Sequence, residues 1–170
     1  MSAKGRVWRF GDDINTDLII PGRYLEDYDP AHLAAHAMEG VSKQVASAVR
    51  EGDIIVAGRN FGCGSSREQA VIALRHAGVS AVVAKSFARI FYRNAVNLGM
   101  AVIESAEASD VFTDGDLAVI DTEAWTLSSE DGRRSIRMAE MPAHARAILD
   151  SGGLVPHIQR RLKEAGLAKR

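Results

Sequence analysis

Between residues 53 and 104 short apolar runs alternate with stretches of helical spacing, and few architectures other than a parallel sheet with crossover helices accommodate that alternation. Asp53-Ile54-Ile55-Val56-Ala57, Ser80-Ala81-Val82-Val83-Ala84 and Met100-Ala101-Val102-Ile103-Glu104 read as strands. Ala70, Val71, Leu74 and Ala77 recur at helical spacing between the first two, which predicts a helix over 65–77 closed by Gly78. A second helix is predicted over 86–98, closed by Gly99. The core is therefore β-α-β-α-β, with right-handed crossovers and parallel strands.

The flanks read differently. Residues 5–10 and 117–121 look like strands, and 125–127 with 135–138 resemble a hairpin around Glu130-Asp131-Gly132, so a mixed β layer should join the parallel core. Helices are predicted over 143–150 and 156–165, with a frayed polar tail from about residue 166. No internal repeat, low-complexity tract or linker interrupts the 170 residues, and 46% hydrophobic content suits one α/β domain over 1–170.

A net charge of −1 offers no global positive field, which argues against nucleic acid or an anionic membrane surface as partner. The first ten residues, MSAKGRVWRF, lack the apolar core of a signal peptide, and no apolar run approaches membrane-spanning length. A cytoplasmic protein is expected. Cys63 is the one cysteine, so no internal disulfide can form, and one thiolate cannot by itself hold a zinc ion or an iron–sulfur cluster. The five histidines, at 32, 36, 76, 144 and 157, show no metal-ligand spacing, and none is assigned a role.

Two polar segments lie between structured elements, where function commonly sits. One runs from Gly11-Asp12-Asp13-Ile14-Asn15-Thr16-Asp17 through Tyr28; the other is Arg59-Asn60-Phe61-Gly62-Cys63-Gly64-Ser65-Ser66-Arg67. In the second, Gly62 and Gly64 allow close backbone approach or positive φ, and Ser65, Ser66 and Arg67 are delivered to a helix start. Free N–H groups, the helix dipole and a planar guanidinium fork suit a carboxylate or phosphate. The spacing lacks the Gly-Lys-Ser/Thr ending of a nucleotide loop. An equally simple reading makes Ser65-Ser66-Arg67-Glu68 a capping box, with Ser65 as N-cap. Cys63 reads either as a small inert residue or as a reactive thiol.

The stretch Asn60-Phe61-Gly62-Cys63-Gly64-Ser65-Ser66-Arg67-Glu68 resembles the signature of the aconitase superfamily's swivelling domain, especially the compact small subunits of its isopropylmalate dehydratases. Residues 11–17 with Ile19-Ile20-Pro21-Gly22-Arg23-Tyr24-Leu25, residues 52–58, and Lys85-Ser86-Phe87-Ala88-Arg89-Ile90-Phe91-Tyr92-Arg93-Asn94 are similar to that family's motifs in the same order. The resemblance covers 5–104. It implies a swivelling β/β/α domain with a central parallel βαβαβ core, acting as the small subunit of a two-chain hydro-lyase. A large partner chain would hold a four-iron, four-sulfur cluster, with none bound by this chain, and the substrate would be a malate-type dicarboxylate. By matching positions, Ser65 would be the catalytic base, and Ser66, Arg67, Gly64 and Arg23 would contact substrate. Tyr24, Leu25, Glu26 and Asp27 would form the specificity loop. A homo-oligomer of the isolated chain is compatible with this picture.

Two departures and several open assignments accompany the match. Relatives that accept an isopropyl group carry apolar residues after Tyr24-Leu25, and relatives that accept a further carboxylate carry arginine there; this chain has Glu26 and Asp27. The two acids either face solvent or signal another substrate, and Arg23 could compensate for them. Gln69 stands where relatives often have histidine. Thr16 and Asp17 either shape the active-site loop or cap a turn; Lys85, Arg89 and Arg93 face either the partner or solvent. Isopropylmalate isomerisation is the leading activity. Homoaconitate, citraconate and dimethylmalate dehydration are rivals within the same chemistry, and a non-catalytic carboxylate-binding module is the rival from another class.

Overall fold

The structure, a computed structural model, describes residues 2–167 and contains one seven-stranded mixed sheet. Its strands are β1 (Ser2–Arg9), β2 (Ile54–Ala57), β3 (Ala81–Ala84), β4 (Ala101–Glu104), β5 (Leu117–Asp121), β6 (Thr126–Ser129) and β7 (Ser135–Arg137), in the order β4-β3-β2-β1-β5-β6-β7. The pairs β1–β2, β2–β3 and β3–β4 are parallel, and those joining β5, β6 and β7 to β1 and to one another are antiparallel. β1 is the seam, in register with Ile54–Val56 on one side and with Leu117–Asp121 on the other. The predicted parallel core is present, and β1 extends it by one strand.

Burial explains the division. β2 and β3 are buried at every position, as strands covered on both faces by crossover helices must be. The covering helices include α4 (Glu68–His76) and α5 (Arg89–Asn97), which contribute Ala70, Val71, Leu74, Phe91 and Ala95 to the core. β6 alternates half-buried with buried residues, the pattern of a strand covered on one face.

Three shorter helices that periodicity did not signal, α1 (Thr16–Ile19), α2 (Pro30–Ala35) and α3 (Lys43–Ala48), fill the long connection from β1 to β2. Each has a local cap: Asn15, Asp29 and Ser42 accept from Leu18, His32 and Gln44 N–H groups respectively. α6 (Ala108–Val111), α7 (Ala143–Asp150) and α8 (Leu154–Glu164) complete the fold. Among the described residues no helix is long and apolar enough to cross a membrane. The expected frayed tail falls largely on residues 168–170, which lie outside the described residues.

The helix boundaries need correction at one place that matters. α4 begins at Glu68 with Arg67 as its N-cap residue and no side-chain cap, so Ser65 does not cap it and Ser65–Glu68 is not a capping box. Gly64 adopts φ +94°, and the Ser65 carbonyl accepts from the Thr16 hydroxyl at 3.1 Å. That positive φ and long-range bond keep residues 64–66 out of the helix. Likewise α5 starts at Arg89, three residues later than its periodicity predicts, because Phe61 N–H donates to Ser86 and Ala88 N–H to Phe61.

Candidate active site

The loop from Asn60 to Arg67 leaves the C-terminal end of β2, the edge where open α/β sheets expose their ligand crevices. It is held on both sides by backbone. Gly62 N–H donates to the Ile14 carbonyl at 2.7 Å and Thr16 N–H to the Cys63 carbonyl at 2.8 Å; on the far side Ala88 N–H donates to the Phe61 carbonyl at 2.9 Å. The Asn60 amide side chain donates to Asp13, and Asn60 N–H donates to the Ser86 hydroxyl. Three segments far apart in sequence, 13–17, 60–67 and 86–93, thus form one structure.

Gly62 permits this closeness. It has φ +79°, and a Cβ there would lie 2.1 Å from the Phe91 ring. Any other residue would push α5 away from the loop or strain the backbone. The Phe61, Phe87 and Phe91 rings pack beside it, with Phe61 edge-on to the other two.

The loop and the start of α5 enclose a cleft of about 500 Å³ lined by Thr16, Asn60, Gly62, Gly64, Ser65, Ser66 and Arg67 on one side and by residues 88–91 and Arg93 on the other. Ser65 and Ser66 are exposed, and among the described residues their hydroxyls have no hydrogen-bond partner. Arg67 is largely buried, its side chain 17% exposed, and its Nη1 donates to Asp17 Oδ1 at 2.6 Å. That contact leaves the Nε–Nη2 edge, the side-on fork for a carboxylate, without a partner among the described residues. Asp17 fixes the guanidinium and leaves its binding edge open. Thr16 and Asp17 therefore do more than end a turn: one hydroxyl holds the serine loop and one carboxylate holds its arginine.

Arg23 and the segment after it lie elsewhere. Residues 23–27 do not line the cleft; Arg23 donates to Glu39 Oε1 at 2.8 Å and sits over the Tyr24 ring. Tyr24 Oη donates to the same oxygen, and His36 Nδ1 lies 2.5 Å from Glu39 Oε2 while its ring stacks on Tyr24. With the Glu39 side chain only 7% exposed, these hydrogen bonds, led by the one from His36, hold its carboxyl down at about 2, well below the usual carboxylate range. Glu26 and Asp27 face solvent, and Asp27 accepts from the Asp29 N–H. Arg23 makes its ion pair with Glu39 and with neither of these acids among the described residues. Nothing in this stretch signalled the cluster beyond the i, i+3 spacing of His36 and Glu39.

The remaining sequence candidates are also placed. Lys85 pairs with Asp110, whereas Arg89 and Arg93 stand on the rim of the cleft and make no ion pair among the described residues. Gln69 is buried. Cys63 is half-buried; burial first, and the nearby Asp13 charge second, push its thiol pKa up, which favours the unreactive protonated form. Among the described residues no group of three or more His, Cys, Asp or Glu side chains could hold a metal ion. The donor set among the described residues does not fit an iron–sulfur cluster.

Comparison with known proteins assigns the family. A model of the aconitase C-terminal domain matches residues 12–108, which contain both loops and the parallel core. The chain belongs to the aconitase C-terminal domain family. Within it, the chain is similar to the methanogen homoaconitase small subunit of Methanothermobacter thermautotrophicus, 54% identical over 91% of this chain and 89% of that one. It is also similar to the 3-isopropylmalate dehydratase small subunit of Syntrophus aciditrophicus, 48% identical over 95% and 98%. The crystal structure of 3-isopropylmalate dehydratase from Methanocaldococcus jannaschii superposes with a TM-score of 0.92 at 47% identity, covering 99% of this chain and 100% of that one. The aconitase-type fold expected from the motifs is thus the fold observed.

Proposed function

We propose that this chain is the small subunit of a cytoplasmic two-chain hydro-lyase, which interconverts 2- and 3-isopropylmalate by dehydration and rehydration in leucine biosynthesis. The observation that carries this reading is the cleft: two hydroxyls and an arginine fork, all without a hydrogen-bond partner among the described residues, stand on one loop of an aconitase-family chain. In this reading Ser65, as its alkoxide, takes the proton from the carbon next to a substrate carboxylate and later returns a proton at the neighbouring carbon. Ser66, the Gly64 backbone and the Nε–Nη2 edge of Arg67 hold that carboxylate. A serine hydroxyl is a weak base in water, so the nearby guanidinium and the uncapped amides opening α4 serve to stabilise the alkoxide. A four-iron cluster on the large partner chain supplies the Lewis acid for the substrate hydroxyl.

Homoaconitate is the second reading of the substrate. It is favoured by the homoaconitase small subunit at 54% identity, and Glu26 and Asp27, which face solvent outside the cleft, place no opposing charge there. The deciding experiment reconstitutes the chain with its large subunit and compares isopropylmalate, homoaconitate, citraconate and dimethylmalate. Isopropylmalate should give a kcat/KM at least about tenfold above the others. Preference for homoaconitate would transfer the assignment to it, and turnover of none would sink the hydro-lyase reading.

A further inference from the structure

We propose that Arg89, Ile90 and Arg93 form the docking surface for the cluster-bearing large subunit, and that the surface they meet is acidic around an apolar anchor. The inference rests on the two-chain reading above and assigns the contact by which the two chains meet. All three residues are exposed, and Ile90 keeps 52% of its surface in solvent. Arg89 and Arg93 are four apart on α5 and so project from one face, with Ile90 beside them.

Charge marks this patch. Arg67, Lys85 and Arg23 are neutralised within the chain, by Asp17, Asp110 and Glu39 respectively, whereas Arg89 and Arg93 join Arg59 of the loop as cations without an ion pair among the described residues. Behind them a shallow hollow of about 270 Å³ is lined by Phe87, Tyr92, Glu104 and the two arginines. Arginine next to aromatic side chains around a hollow is the composition of an interface centre, in which a partner's apolar side chain can be anchored.

Position supports the same occupant. The arginines stand on the rim of the cleft that carries Ser65 and Arg67. A chain that completes the cleft has to cover that rim. A second copy fits poorly, because across a two-fold axis the patch would face itself and set arginine against arginine.

The test titrates the purified large subunit into the wild-type chain, an R89E/R93E double variant and Ile90→Glu, by calorimetry at low and high salt, with substrate turnover measured at saturating large subunit. Charge reversal should raise Kd at least about 30-fold, and Ile90→Glu about tenfold. The wild-type Kd should weaken with salt more steeply than that of the double variant. Wild-type affinity in both variants overturns the proposal, as does an unchanged Kd with collapsed turnover, which would move the arginines to the substrate. All three positions are exposed, so thermal unfolding of each variant should match wild type. A wild-type pair that associates but dehydrates no malate derivative sinks the functional reading and leaves the docking surface standing; a pair that does not associate sinks both.

Discussion

The loop at 60–67 and the segment at 22–29 both read, from sequence, as surfaces for substrate, and the structure treats them oppositely. On the first, polar groups are left free: two serine hydroxyls have no partner among the described residues, and Arg67 spends one nitrogen on Asp17 while keeping its fork. On the second, a nearly buried carboxylate is saturated: Glu39 takes hydrogen bonds from Arg23, Tyr24 and His36, and the Tyr24 and His36 rings stack beside them. The difference lies in which nitrogen the neighbouring carboxylate takes: Asp17 meets Arg67 at Nη1 and leaves its Nε–Nη2 fork whole, whereas Glu39 meets Arg23 at Nη2 and occupies one arm of that fork. A carboxylate that is nearly buried and triply bonded instead fixes the backbone around it.

The sharpest way to break this contrast is Ser65→Ala. Turnover of the reconstituted enzyme should fall about 10²–10⁴-fold with KM little changed, since the base acts in the transition state; wild-type turnover would remove Ser65 from catalysis. Gly62→Ala tests whether the open loop depends on its close approach to α5. The added methyl meets Phe91 at a positive φ, so denaturant unfolding should show a loss of about 2–4 kcal/mol. Arg67→Lys replaces the fork by a point charge and should raise KM about 10–30-fold with kcat largely retained. An unchanged KM would show that the free edge is not used.

The smallest effect sharpens the saturated side. Glu39→Gln should cost about 1 kcal/mol of stability at pH 7, read from urea midpoints. Because the folded-state carboxyl sits at about 2, below its ordinary value near 4.5, its contribution is fully present above pH 4.5. It fades as pH falls from there toward about 2, and the gap between wild type and variant should close over the same range. A gap that persisted at pH 2 would show that the ionised carboxylate is not what stabilises the segment.

Much of the fold was legible because its signals are local. Buried parallel strands must be apolar runs and a glycine must end a helix that turns back sharply, so 53–104 declared its order from spacing alone. The motif order placed both loops in one family, and that family is the one found. The short helices α1 to α3 escaped notice, since four to six residues are too few for a 3.6-residue period to register, and their caps were the only available signal. The start of α4 was misread for a related reason. Ser65 and Glu68 have capping-box spacing, and only the Thr16 hydroxyl, 49 residues away, decides that Ser65 stays in the loop.

The sequence by itself thus determined the parallel core, the glycine positions and the chemical types available to the cleft, all of which follow from near-neighbour periodicity and backbone sterics. Tertiary structure alone decided which arginine keeps a free edge, which acids face solvent and which cations are left unpaired on the rim. Those outcomes depend on long-range partners, Asp17 for Arg67 and Glu39 for Arg23, and local spacing carries no information about which carboxylate a guanidinium will meet once the chain is folded.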